Sequence, residues 1–243
     1  MQQQGDVFDR DTLKNAGYLY TTNASLSSRL ANQRLTEIAL MMADWHGKRV
    51  LDFGCGDGTY TLDLFDLGRP TAIHGFDPAQ EAIKVAQHKR TDRRITFAIH
   101  GAYALPYAAN SFDIAHVRGV LHHLDRPVDA LHEALRVAST VLVIEPNGYN
   151  LGLKLLERYS RYHIQHGEKS YAPASLNKWV TDLGAMVMER KWVGLVPFFC
   201  PDWLARILKT VEPLVERLAF INVVGCAVYV FIAQRSGARG WPG

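Results

Sequence analysis

From Lys48 to Gly184 the chain alternates short apolar runs with stretches whose apolar residues recur every three or four positions. That alternation is the signature of parallel strands joined by crossover helices. The runs at Arg49–Phe53, Thr71–Asp77, Ile95–His100, Phe112–Arg118 and Val141–Glu145 predict strands. The stretches Tyr60–Leu67, Ala79–Lys89, Pro127–Val137 and Pro173–Leu183 predict helices, the last opening on a proline, which suits a first helical turn. Beyond Gly184 two further strands, Met186–Leu195 and Cys226–Gln234, lack a crossover that would keep them parallel, so an antiparallel pair at one sheet edge is expected. Between them Trp203, Ile207, Leu208, Val211, Leu214 and Leu218 repeat at helical spacing, predicting an inserted amphipathic helix kinked by Pro213. The most apolar window, Phe220–Ala233, is shorter than the roughly 20 residues a membrane-crossing helix needs, and it reads as a buried strand. The expected architecture is α/β: a doubly wound, mostly parallel sheet of about seven strands.

Composition narrows this picture. With 243 residues, 48% of them hydrophobic, the chain suits a single domain with modest additions. Its net charge of +3 is spread without a block of like charges, which argues against a nucleic-acid partner. Cys55, Cys200 and Cys226 are too few and too far apart for a disulfide framework or a zinc site, so no metal is expected. The polar start MQQQGDVFDRDTLKN does not read as a secretory signal, and a cytoplasmic protein is expected.

The segment Val50-Leu51-Asp52-Phe53-Gly54-Cys55-Gly56-Asp57-Gly58-Thr59 runs from a strand into a glycine-rich turn at the start of a helix. Such a turn lets a ligand approach the backbone, although turns that bind nothing use glycine as well. The third glycine falls at Gly58, with Thr59 where the dinucleotide fingerprint wants Gly or Ala, which counts against a nicotinamide or flavin cofactor. The next strand ends in Gly75-Phe76-Asp77-Pro78, placing a carboxylate where it can accept from both hydroxyls of a ribose.

Taken with GAYALPYAANSFDIAHVRGVLHHL and TVLVIEPNGYN, these segments resemble the class I S-adenosylmethionine-dependent methyltransferases from about Lys48 to Asn147. The resemblance implies a Rossmann-like domain with residues 1–45 as a helical lid, 46–147 as the cofactor-binding core, 148–220 as acceptor-side segments with the insertion, and 221–235 as the last strand. It implies S-adenosylmethionine as cofactor and S-adenosylhomocysteine as product. Backbone at Gly54, Cys55 and Gly56 would line the methionine part, Asp77 would hold the ribose, and Phe76 or Pro78 would border the adenine. Arg118 and Gly119 would sit under the sulfonium and amino-acid end, Asp52 would orient the glycine turn or accept from the cofactor ammonium, and Tyr20 and Arg34 of the lid could reach the methionine carboxylate. One departure concerns the adenine loop. Where the family commonly has an acid before the alanine, this chain has His100-Gly101-Ala102-Tyr103, leaving the amides of Ala102 and Tyr103 to meet the ring.

Methyl transfer from a sulfonium needs alignment first, and a base only if the acceptor atom carries a proton. His122 and His123, just past the fourth predicted strand, are candidates, with His123 preferred; packing and capping is the plainer role for the pair. His163 and His166 fall in the segment that often covers the acceptor in this family; a solvated face is the commoner outcome, and His163 is the further catalytic candidate that could face the acceptor. Cys55 reads as a small buried side chain and no nucleophile. The expected reaction is methyl transfer to O or N of a small-molecule or sugar acceptor. The alternatives are a lipid or quinone acceptor at a membrane surface and a non-catalytic cofactor-binding partner. The apolar stripe of the inserted helix is expected to pack on the sheet, because Arg206 and Lys209 are mixed with Glu212 and Glu216. Stable insertion in a membrane is not expected.

Overall fold

The computed structural model describes residues 9, 12–13, 21, 25–159 and 169–235. Tyr20, His163 and His166 lie outside them. Seven strands form one sheet in the order β3-β2-β1-β4-β5-β7-β6. They are β1 (Arg49–Phe53), β2 (Ala72–Asp77), β3 (Ile95–Ile99), β4 (Phe112–Arg118), β5 (Ala138–Pro146), β6 (Ala185–Val193) and β7 (Val228–Arg235). The first five are parallel; β7 runs antiparallel between β5 and β6, which gives the expected edge hairpin.

Burial explains the composition of the strands. β5 and β7 are covered on both faces and are nearly continuous apolar runs, whereas the edge strand β6 carries Glu189, Arg190 and Lys191 toward solvent. On one face, α1 (Leu26–Met42), α2 (Thr59–Gly68) and α3 (Gln80–Lys89) bury Ile38, Leu64 and Ile83 against Val50, Ile73 and Ile114. On the other, α4 (Pro127–Val137) and α6 (Pro173–Asp182) bury Leu131, Leu135 and Leu176 against Leu51, Val117 and Val143. Local signals set the helix starts: Ser25 Oγ accepts from the Ser28 amide at 3.2 Å to cap α1, and Pro127 and Pro173 occupy the first turns of α4 and α6.

Further helices among the described residues are α5 (Leu151–Tyr159), α7 (Asp202–Arg217) and α8 (Ile221–Gly225), beside a single 3-10 turn at Leu121–His123. α7 continues unbroken through Pro213, whose missing amide costs the helix one internal hydrogen bond. The expectation of one buried strand over Phe220–Ala233 is corrected: Ile221–Gly225 is a short helix with Ile221 and Val224 exposed, and the strand starts at Val228. Asn147 imposes this break, because its side-chain amide donates to the carbonyls of Val223 at 2.8 Å and Cys226 at 2.9 Å. The expectation that α7 turns its apolar stripe onto the sheet is also corrected. Only Ala205 and Glu212 of α7 are buried, while Trp203, Ile207 and Leu214 face outward. No helix among the described residues is long and apolar enough to cross a membrane.

The loop between β3 and β4 is clamped to α4. Glu133 accepts from the Leu105 amide at 2.6 Å and from Arg136, which in turn donates to the carbonyls of Tyr107 and Leu105. The Arg136 hydrogen bond holds the Glu133 carboxyl below its usual range, outweighing its partial burial. A carboxylate whose pKa is depressed on folding stabilises above its unfolded pKa, and the contribution fades as pH falls through the folded value. Glu133→Gln should therefore lower stability by about 1 kcal/mol at neutral pH. Urea denaturation over a pH series should show that deficit closing below the carboxylate range of about 4.

Candidate active site

The end of β1 turns back across β2. The amides of Gly54 and Cys55 both donate to the Phe76 carbonyl at 2.9 Å, and the Gly56 amide donates to Oδ2 of Asp77 at 3.0 Å. Gly54 takes a φ of +73°, and a Cβ there would lie 2.5 Å from Cγ2 of Val120, so only glycine lets β1 leave the sheet beside the end of β4. Gly75 on β2 makes room for the same turn, since a Cβ on it would meet that of Cys55 at 2.8 Å. The amides of the turn are thus engaged within the protein, and the chemistry they present to a ligand passes to Asp77. Its Oδ1 accepts from the Ala79 amide at 2.9 Å and its Oδ2 from Gly56. These two bonds orient a buried carboxylate at the end of β2.

Asp57 braces the other side of the turn through Thr59, Thr21 Oγ1 at 2.6 Å and the Lys89 ammonium at 3.1 Å. Burial alone would raise its pKa, but the Thr21 hydroxyl and Lys89 outweigh it and hold the carboxyl below the usual range. Asp52 stands on β1 just before the turn. Oδ2 accepts from the Thr61 hydroxyl at 2.5 Å and Oδ1 lies 2.8 Å from Nδ1 of buried His116, so the side chain ties β1 to α2 and β4. A group engaged on both oxygens below the turn is not placed to take a cofactor ammonium.

Two expectations are corrected. The Phe76 side chain is buried in the core, with its ring 4.6 Å from that of Phe53, which leaves Pro78, exposed at the end of β2, as the residue that can border a base. Arg34 is bound to both oxygens of Glu216 on α7, at 3.0 and 2.5 Å, and also to Glu37, so a carboxylate ligand would have to displace a near-buried ion pair. His122 receives a carboxylate partner. Its Nδ1 lies 2.8 Å from Oε2 of Glu145, while the His123 ring is tilted against that of His122 with centroids 3.9 Å apart.

Arg118 inserts between α1 and α2. It donates to Thr36 Oγ1 at 3.1 Å and Asn32 Oδ1 at 3.1 Å and lies 3.7 Å above the centre of the Tyr60 ring. Burial lowers its pKa, opposed by Tyr60, Asp52 and Asp63, and no carboxylate among the described residues forms a direct ion pair with it. Its neighbours Asn32, Thr36 and Tyr60 line an open cleft of about 360 Å³. A desolvated cation held by neutral partners suits a small anionic group. Gly119 follows it, donating to the Ile144 carbonyl at 2.8 Å. Ala102 is buried under the β3–β4 loop, and Tyr103 turns its hydroxyl toward the Arg126 amide, 3.2 Å away, at the start of α4.

Glu145 is the residue that sequence reasoning missed. Buried at the end of β5, it accepts from the amides of Val120 and Leu121 at 2.8 Å and of His122 at 3.3 Å, and it engages the His122 ring. An acid in an otherwise apolar strand, Val141-Leu142-Val143-Ile144-Glu145, was the available signal. Nothing in the linear pattern pointed it at residues more than twenty positions away.

An open parallel sheet whose first strand enters a glycine turn, with an acid closing the second strand, defines a nucleotide-type site at the switch point of a doubly wound fold. Residues 51–141 match the family model described as Methyltransferase domain. The chain is 30% identical over 155 residues, 55% of each protein, to an uncharacterized methyltransferase of Schizosaccharomyces pombe, so the match spans about half the length of that relative. It is 26% identical over 186 residues, 67% of this chain and 77% of the other, to the ubiquinone biosynthesis O-methyltransferase of Burkholderia pseudomallei. The structure of the [4+2]-cyclase SpnF superposes with a TM-score of 0.71 at 21% identity, covering 96% of this chain and 95% of that one, a likeness of fold alone. Residues 51–141 thus form a methyltransferase domain, and the match, the fold and the relatives support a class I S-adenosylmethionine-dependent enzyme with S-adenosylmethionine as its cofactor.

Titration calorimetry should show that Asp77→Ala weakens S-adenosylmethionine binding at least tenfold, about 1.4 kcal/mol. Cys55 is raised well above the ordinary thiol range by burial and then by Asp77 and Asp52, and Cys226 is raised to about 12 by burial, Glu216 and Glu212. Iodoacetamide at pH 8 should accordingly label Cys200 alone, as read by intact mass and peptide mapping.

Proposed function

We propose that the protein transfers a methyl group to an oxygen or nitrogen of a small-molecule acceptor, with a hydroxyl the favoured target and His122 the base. The observation that carries this reading is the His122–Glu145 pair at the carboxyl ends of β4 and β5. Asp77 and Pro78 would hold the ribose and adenine, the Gly54–Gly56 turn would face the methionine chain, and Arg118 would take its carboxylate. Bound there, S-adenosylmethionine supplies an electrophilic methyl group on a sulfonium.

The protein then has to align the acceptor and remove its proton. Because the Glu145 carboxylate only accepts, Nδ1 of His122 carries the hydrogen and Nε2 is the basic nitrogen. The same carboxylate is fixed by three backbone amides, so the imidazole is held in one tautomer and one orientation without reorganisation during the reaction. A hydroxyl oxygen becomes nucleophilic as its proton passes to Nε2, and an amine gains its lone pair by the same route. The His123 ring packs beside that of His122, tilted by 43°. The O-methyltransferase named among the relatives supports the preference for oxygen.

His122→Ala should lower kcat about 10²- to 10⁴-fold across an acceptor panel while cofactor affinity stays at the wild-type value. It should also remove the acidic limb of the pH–rate profile, which Glu145→Gln should shift. Equal turnover in wild type and His122→Ala would overturn the role given to this residue. Cofactor binding with no methylated product from any acceptor would favour a non-catalytic binding protein.

A further inference from the structure

We propose that the outward face of α7 and α8 is a docking surface for an anionic lipid bilayer, on which the protein lies without crossing it. α7 is amphipathic in the inverted sense. Trp203 is 64% exposed, Ile207 54% and Leu214 61%, and the stripe continues onto Phe220, 84% exposed, at the entrance to α8. Large apolar side chains that gather on one helical face and stay in water mark an interaction site.

The charges are sorted to match. Both interior acids of α7 point toward the protein: Glu212 accepts from the Leu195 amide at 2.9 Å and pairs with Lys209 at 2.6 Å, and Glu216 accepts from the Gly194 amide at 3.0 Å and pairs with Arg34. Arg206 and Arg217, beside the apolar stripe, are exposed and form no ion pair among the described residues. Apart from Asp202 at its first turn and Thr210, whose hydroxyl donates to the Arg206 carbonyl at 2.9 Å, the exposed residues of the helix are apolar or cationic. That combination complements anionic headgroups over acyl chains.

The surface adjoins the acceptor side of the fold. The side chains of Asn147 and Asn150, just beyond β5, donate to the carbonyls of Val223, Cys226 and Gly225, fixing α8 at the sheet end that carries Glu145 and His122. A bilayer bound to this face would lie near the entry for an amphiphilic acceptor. The docking surface itself does not depend on the methyl-transfer reading, because it is measured without acceptor or turnover.

The test is co-sedimentation of the full chain with vesicles of phosphatidylcholine, with and without phosphatidylglycerol. Wild type should partition onto the vesicles that contain phosphatidylglycerol. Ile207→Glu combined with Leu214→Glu should reduce that partition at least tenfold, and Arg206→Gln combined with Arg217→Gln should abolish the preference for the anionic lipid. Both variants should keep wild-type cofactor affinity, which shows that they are folded. Wild type remaining in the supernatant, or equal partition by the Ile207/Leu214 variant, would overturn the proposal. So would a dimer in sedimentation velocity that the Ile207/Leu214 variant dissolves, since the face would then belong to a second copy.

Discussion

The carboxylate of Asp77 locks the turn that leaves β1 onto the end of its paired neighbour, β2. By accepting from Gly56 and Ala79 it fixes the glycine turn after β1 against the start of α3, while the Phe76 carbonyl takes the two preceding amides of the same turn. Hydrogen bonds to an ionised acceptor contribute roughly 1.5–3 kcal/mol each, enough to hold a backbone whose glycines would otherwise sample many conformations. A crevice at the switch point of the sheet follows from that joint. So does the chemistry of the site, because the turn's own amides are satisfied internally and recognition falls to a preorganised carboxylate.

The same device recurs along the carboxyl edge of the sheet. Glu145 gathers three amides of the segment after β4 and orients His122, much as Asp77 gathers the turn after β1. Glu133 and Arg136 clamp the loop after β3. Asp52, one layer below, ties β1 to β4 and α2 through His116 and Thr61. In each case a charged group with little exposure is matched by donors fixed on rigid elements, the condition under which a buried charge is tolerated.

The insertion between β6 and β7 obeys a different constraint. Its acids are needed inside, where Glu212 and Glu216 satisfy the amides of Leu195 and Gly194 and neutralise Lys209 and Arg34. Turning those acids inward forces the opposite side of α7, which carries the large apolar residues, into solvent. The inverted helix is therefore a consequence of capping the end of β6, and the exposed face is what that arrangement makes available for contact with another phase.

The sequence alone determined the layered sheet and the cofactor class. Strand and helix periods are local properties, and the glycine turn, the acid closing β2 and the segment around β4 lie within short windows whose chemistry is legible one residue at a time. The connection between the last two strands also pointed to an antiparallel pair. What it could not supply was the partner of each charged side chain. Arg34 looked available for a ligand until Glu216, far along the chain, occupied it; Phe76 looked like a base-stacking residue until its strand face proved to be the core side. The same limit hid the orientation of α7, because a helical period gives the existence of two faces but not which one meets the protein. Burial of charge is decided by contacts between elements distant in sequence, and only the tertiary structure brings those elements together.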